Sequence, residues 1–190
     1  LKDITGEYVK VTVNPTGKPG EKDSKIYYVN PKAWVEIPEI KLTDEEKANL
    51  GFTHWSADKD GQNENGVFDF SNRHKFTDKE TVISPGFAND VVEQTDPNKK
   101  PPVPTDFVKV VVKTTDKATS EFTKTFWVNP TKEVTIPVTN PTGKTIEKTQ
   151  TEQAKAYTFK DWKSDEDTSR TWTSGIKGKF TKATTITAEY

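Results

Sequence analysis

The chain has 190 residues, only 31% of them hydrophobic, yet it carries ten Phe, five Tyr and five Trp, too many rings for a disordered polymer. Its 28 basic and 29 acidic residues nearly cancel, so no field of one sign is available to gather nucleic acid or anionic lipid. Cysteine is absent, which removes disulfides, thiolate metal sites, cysteine nucleophiles and thioester chemistry together.

Val9, Val11 and Val13 alternate with polar residues at the period of two that a half-buried strand requires. A turn-rich stretch follows over 14–20. A second β-prone run, Tyr27-Tyr28-Val29, then stops at Asn30-Pro31, because proline has no N–H to give a ladder. Val35 and Ile37 form a short alternating segment whose opposite face, Trp34 and Glu36, points to solvent. Thr43 with Glu46 three residues on makes a capping box, and Gly51 stops the helix that the box starts. Further strands are predicted over 52–55, 67–70 and 81–83. The run from Thr95 to Asp106 holds Pro97, Pro101, Pro102 and Pro104. It favours polyproline II at about 3.1 Å per residue, a stiff spacer more than a floppy tether. Beyond it the order returns: Val108, Val110 and Val112; a turn at 114–117; Phe126-Trp127-Val128 ending at Asn129-Pro130; Val134 with Ile136; a helix near 149–156; and strands over 157–162, 170–173 and 184–190.

This recurrence is a repeat with measurable offsets. Tyr27-Tyr28-Val29-Asn30-Pro31 and Ile37-Pro38 reappear 99 residues on as Phe126-Trp127-Val128-Asn129-Pro130 and Ile136-Pro137. Trp55 meets Trp162 at an offset of 107, and Lys75-Phe76-Thr77 meets Lys179-Phe180-Thr181 at 104. Offsets that hold within blocks and change between them mark one fold, copied, with loops of different length. The expected class is therefore α+β and β-dominated. Two tandem modules, 1–94 and 106–190, each a mostly antiparallel sheet with one short helix, stand end to end across a proline-rich linker at 95–105. The shared rings Trp55, Phe76, Trp162 and Phe180 are assigned to the structural cores.

The succession Val-Lys-Val, aromatic-Val-Asn-Pro, Ile-Pro, Phe-x-x-Trp, Lys-Phe-Thr and a closing Thr-Ile-Thr-Ala-Glu-Tyr resembles the tandem repeats of wall-anchored adhesins of Gram-positive bacteria. It is similar to the Listeria–Bacteroides B-repeat and, more loosely, to streptococcal SHIRT-type repeats. The first copy departs from the pattern at its end, where Ser84-Pro85-Gly86-Phe87 stands in place of Ala188-Glu189-Tyr190. The resemblance implies a small β-grasp-like module, an extracellular and wall-anchored setting, and the role of a stalk that projects a separate binding domain. It carries over no catalytic residue. Methionine is absent and the chain opens Leu1-Lys2-Asp3, so it reads as an interior piece of a longer product, with export and anchoring signals outside it. No run approaches the 18 or more apolar residues of a membrane span.

Candidate functional residues are few. His54 and His74 are the conventional general bases, but no nucleophile elbow, His-Glu-x-x-His, P-loop or dinucleotide fingerprint accompanies them, and the reading is of no enzyme. Asp58, Asp60 and Asn63 lie in an oxygen-rich loop that suits a weak calcium site, although the EF-hand spacing fails and the same residue types make ordinary hairpin loops. No other cofactor is expected. Trp34 aligns with Glu133 and faces solvent, where a ring can stack on a sugar, anchor a protein contact or pack on a neighbouring repeat. Host glycan or extracellular-matrix protein is thus the alternative partner, in a chain otherwise expected to be monomeric and to touch only its own neighbouring repeats. Abundant Lys, Asn and Asp permit a Lys-to-Asn or Lys-to-Asp crosslink, but no motif locates one.

Overall fold

A computed structural model describes residues 7–15, 24–167 and 169–190. The chain divides into two compact units, Leu1–Asn89 with Pro102–Thr105, and Asp90–Pro101 with Asp106–Tyr190. The fold is β-dominated with one short helix among the described residues, an α+β chain.

In the first unit, β1 (Val9–Val13) and β2 (Lys25–Val29) pair antiparallel, with Val9 opposite Val29 and Val13 opposite Lys25. Their connection, like most of the turn expected over 14–20, lies outside the described residues. The helix α1 (Asp44–Leu50) leads into β3 (Phe52–Ala57), which pairs antiparallel with β4 (Glu80–Phe87). The sheet order is β2-β1-β4-β3, and its central pair is parallel, from Lys10 opposite Glu80 to Val13 opposite Ile83. β4 runs past the predicted 81–83 through Pro85. This is tolerated because the β1 partnership ends at Ile83, so the missing N–H on that side costs no ladder bond. Val11, Val13, Ile37, Trp55, Phe68, Phe76 and Ile83 fill one apolar core. The segment predicted as a strand over 67–70 is not one; it is tied to β3 by a single bond from Phe68 N–H to the Trp55 carbonyl.

The helix follows from its caps. Thr43 Oγ1 accepts from Glu46 N–H at 3.1 Å, Glu46 Oε2 accepts from Thr43 N–H at 3.0 Å, and Gly51 closes the helix at φ 61°, a conformation that favours glycine. Replacing Thr43 by Ala is expected to cost about 1 kcal/mol in a urea unfolding curve, with no change in its slope.

The second unit opens with β5 (Val91–Gln94), followed by β6 (Val108–Lys113), β7 (Thr123–Val128), β8 (Val134–Ile136), β9 (Thr145–Ile146), β10 (Lys155–Ala156), β11 (Asp161–Ser164), β12 (Thr171–Trp172), β13 (Ile176–Gly178) and β14 (Thr184–Glu189). Six strands form a sheet in the order β12-β11-β14-β6-β7-β5; β8 pairs with β13, and β9 with β10. The pairings of the first unit recur: β6 with β7 antiparallel, β14 with β6 parallel from Thr184–Val110 to Thr187–Lys113, and β11 with β14 antiparallel. The isolated bridge between Val35 and His74 corresponds to Val134 and Gly178 of β8 and β13 at the offsets of 99 and 104. Val110, Val112, Phe126, Trp162, Phe180 and Ile186 make the second core. Trp55, Phe76, Trp162 and Phe180 are all buried.

Two expectations need correction. The helix near 149–156 is absent. Thr149 Oγ1 accepts from the N–H groups of Thr151 and Glu152 as a cap would, but Thr149 N–H turns back onto the Glu152 carbonyl, and β9 and β10 close a small hairpin around that turn. Residues 149–156 contain no large apolar side chain, only Ala154 and Ala156, so a helix there has no face to bury. The module boundary expected at 94 also moves. Residues 91–94 pair with β7, and Asp90–Pro101 belongs to the second unit, while Pro102–Thr105 goes with the first. The first half of the expected linker is held in place: Gln94 Nε2 donates to the Asp96 and Pro97 carbonyls, and the Lys100 ammonium lies 4.1 Å from the centre of the Trp127 ring.

Candidate functional site

Trp34 has 64% of its surface exposed. The bridge from Val35 to His74 explains this: Val35 turns half-inward toward the core, so its neighbour must face out. Around the indole lies a shallow hollow of about 570 Å³, lined by Trp34, Gln62, Asn63, Asn72, Arg73, His74 and Lys75 with the glycine backbone at Gly61.

Two turns build its walls. In the first, Asn63 Oδ1 accepts from the N–H groups of Asn65 and Val67 at 2.9 and 3.0 Å. Gly61 at φ 91° carries the chain so close to Phe68 that an added Cβ would stand 2.7 Å from the ring. In the second, Asp69 Oδ1 accepts from Ser71 N–H at 2.9 Å and from its hydroxyl at 2.6 Å, and His74 Nε2–H donates to the Asp69 carbonyl at 2.7 Å. The imidazole also stacks on Phe68 at 4.2 Å between centres, so His74 is a wall of the hollow, fixed on one face by a ring and at one nitrogen by a carbonyl. Arg73 and Lys75 make no ion pair among the described residues.

The Ser71 hydroxyl and then its N–H hold the Asp69 carboxyl below its usual range, with burial opposing them and the neighbouring His74 adding the smallest contribution. Asp167 is held down in the same way by Ser169 and Arg170. A depressed carboxyl stabilises the fold fully above the usual 3.8 and loses that contribution as pH falls through the lower folded-state value. Asp69→Asn is accordingly expected to flatten the decline of Tm below about pH 4 while leaving the Tm difference from wild type constant above it.

No family model, curated protein or solved structure matches this chain.

At the aligned place in the second unit, Glu133 and Lys177 form an ion pair at 3.0 Å where the first unit has Trp34 and Arg73. Gly178 stands in place of His74, and the Arg170 guanidinium fills that space, 4.6 Å from Phe180 and 5.0 Å from Trp172, donating to the Lys179 carbonyl at 3.0 Å. The second unit closes on itself with charge and cation–π contacts; the first leaves a ring, three amides and two cations facing solvent.

The remaining candidates are spent on backbone. Asp58 Oδ1 accepts from Val82 N–H at 2.7 Å, and Asp60 Oδ2 accepts from Thr77 and Asp78 N–H, both at 2.8 Å. With Asn63 capping its own turn, one oxygen of each residue in the expected calcium loop is engaged by backbone N–H groups, and among the described residues no group of three His, Cys, Asp or Glu side chains could hold a metal. His54 Nδ1–H donates to Thr53 Oγ1, whose own proton goes to the Gly86 carbonyl, each at 3.0 Å. Arg73, Gln62 and Asn72 do not stand out in the sequence; the antiparallel bridge of Val35 with His74 sets Lys75 opposite Trp34 and leaves Arg73 on the same face, opposite Glu36.

Proposed function

We propose that the chain is a structural stretch of a bacterial surface protein, two β-grasp-like modules acting as a tension-resisting spacer that holds a separate binding domain away from the cell wall. The observation that carries this reading is the place of the terminal strands. In each unit the first strand of the repeat and the last lie side by side and run parallel, β1 with β4 and β6 with β14. Pulling the ends of such a unit apart drags the two strands past each other and loads all their hydrogen bonds at once, whereas an antiparallel terminal pair would open one bond at a time. The strand order β2-β1-β4-β3, repeated as β7-β6-β14-β11, is what a copied β-grasp-like module would present, with α1 crossing between the second and third strands in the first unit alone. An array of such units gains length by copy number without new chemistry. Nothing in the histidine geometry asks for a catalytic role, and an extracellular, monomeric, wall-anchored stalk fits the whole. No helix of the described residues is long and apolar enough to cross a membrane.

The test is reach. One, two and four copies of the chain, placed between a wall anchor and an epitope tag on a Gram-positive cell, are expected to make the tag progressively more accessible to antibody-coated beads. Accessibility independent of copy number would overturn the reading.

A second reading has its own observation, the open hollow at Trp34. A host glycan or matrix protein could use its ring and amides, and loss of a measured binding activity in Trp34→Ala, with an unchanged melting curve, would establish binding by the chain itself.

A further inference from the structure

We infer that the outer edge of β2 is a docking site for an extended strand with the character of Asp90–Gln94. The inference rests on comparing the two units and not on the spacer reading, which can fail without it.

In the second unit the edge strand β7 is covered. β5 lies on it antiparallel, with Val91 opposite Val128, Val92 opposite Trp127, Glu93 opposite Phe126 and Gln94 opposite Thr125. Five contacts pin it, one of them from Lys132 Nζ to Asp90 Oδ2 at 3.2 Å. Asn129 N–H donates to the Asp90 carbonyl and its Nδ2 to Asp90 Oδ1, both at 2.9 Å. Lys124 pairs with Glu93 at 3.4 Å, and the Trp127 indole N–H donates to Gln94 Oε1 at 2.9 Å under the Lys100 ammonium.

In the first unit no described residue pairs with the corresponding edge. β2 is the last strand of its sheet, and Ile26 and Tyr28 are 51% and 52% exposed. An open edge with exposed apolar side chains is a template that proteins ordinarily cover. Three of the receiving groups are already in place at an offset of 99, Lys25 for Lys124, Tyr28 for Trp127 and Asn30 for Asn129, while Ala33 stands where Lys132 pairs with Asp90. Asn30 is even held in the same posture, its Oδ1 accepting from Lys32 N–H at 2.9 Å as Asn129 Oδ1 accepts from Thr131 N–H at 3.0 Å, which leaves the amide NH₂ of Asn30 to donate. The incoming strand needs an aspartate opposite Asn30, β-branched residues over Val29 and Tyr28, and a glutamate within reach of Lys25. Main-chain bonds supply the affinity of such strand addition, and the side chains supply register. The chain itself contains that sequence, Asp90-Val91-Val92-Glu93-Gln94, so the chemistry favours a segment from another repeat of the same kind over an unrelated partner.

The experiment titrates a synthetic peptide of residues 90–101 into the ¹⁵N-labelled chain. Saturable shifts are expected in the amides of Lys25–Val29, with a dissociation constant of about 1 mM or tighter. A scrambled peptide should leave them unmoved. Lys25→Glu, an exposed change that leaves the fold intact, should weaken binding about three- to tenfold, and a peptide carrying Glu93→Lys should recover it against that variant. No shift in β2 up to about 5 mM, equal binding by the scrambled peptide, or shifts confined to the β5–β7 edge would each overturn the inference.

Discussion

Trp162→Ala is expected to unfold the second unit and leave the first folded. The indole is fully buried, with Phe159 at 5.5 Å and Phe122 at 6.2 Å between ring centres, and its N–H donates to Asn140 Oδ1 at 2.9 Å. Deleting a buried tryptophan costs about 3–5 kcal/mol in lost transfer energy and cavity, and stripping Asn140 of its partner adds about 1 kcal/mol. A unit of roughly a hundred residues holds about 5–15 kcal/mol in all, so the variant sits at the edge of unfolding near 37 °C. The two cores share no residue, which is why the loss should stay on one side. In a ¹H–¹⁵N spectrum the Trp34 and Trp55 indole signals should keep their native positions, while those of Trp127 and Trp172 collapse to the unfolded range. Trp162→Phe, which keeps a ring but loses the hydrogen bond, should cost about half as much. Collapse of all four signals together would mean that the units fold as one and that the array picture of additive modules is wrong.

The features of this fold that are legible in advance are those decided by neighbours in sequence. Thr43 and Glu46 find each other within one helical turn, and Val11 and Val13 are buried because alternate residues share a strand face. The helix expected near 149–156 rests on analogy with the first copy, but a repeat preserves the core and lets connections drift. Pairing is illegible for a different reason. That β1 lies parallel to β4 depends on a contact across some seventy residues, and no local pattern names a distant partner. Val91–Gln94 falls on the other side of the expected boundary because it follows the first module without a break in sequence, and only its pairing with β7 ties it to the second unit. The site divides the same way. Trp34 stands out by face alternation, whereas Arg73 joins it only through the Val35–His74 bridge. The loop of Asp58, Asp60 and Asn63 suggests calcium because oxygen-rich residues that could ligate a cation are also those that cap turns, and here one oxygen of each residue accepts from backbone N–H groups.

Resistance to force should depend on the direction in which the first unit is pulled. Because the chain has no cysteine, pairs of introduced thiols give unique handles. With handles at Glu7→Cys and Ala88→Cys, both exposed, tension runs along β1 and β4 in opposite senses, and the four paired positions from Lys10–Glu80 to Val13–Ile83 bear it together. With handles at Glu7→Cys and Lys32→Cys, tension enters the antiparallel β1–β2 pair at its open end, where Val9 faces Val29, and the bonds break in succession. The thermodynamic cost of unfolding is the same along both routes; what differs is how much of the barrier must be crossed in one step, and forced rupture follows that barrier and not equilibrium stability. Single-molecule pulling at one speed should therefore give a rupture force several-fold higher for the first pair of handles than for the second. Equal forces would show that the parallel pair is not the element that resists, and the tension-resisting spacer would lose the observation it stands on. A high force in the first geometry alone would explain why a repeat with a thin core and plain chemistry keeps its first and last strands adjacent.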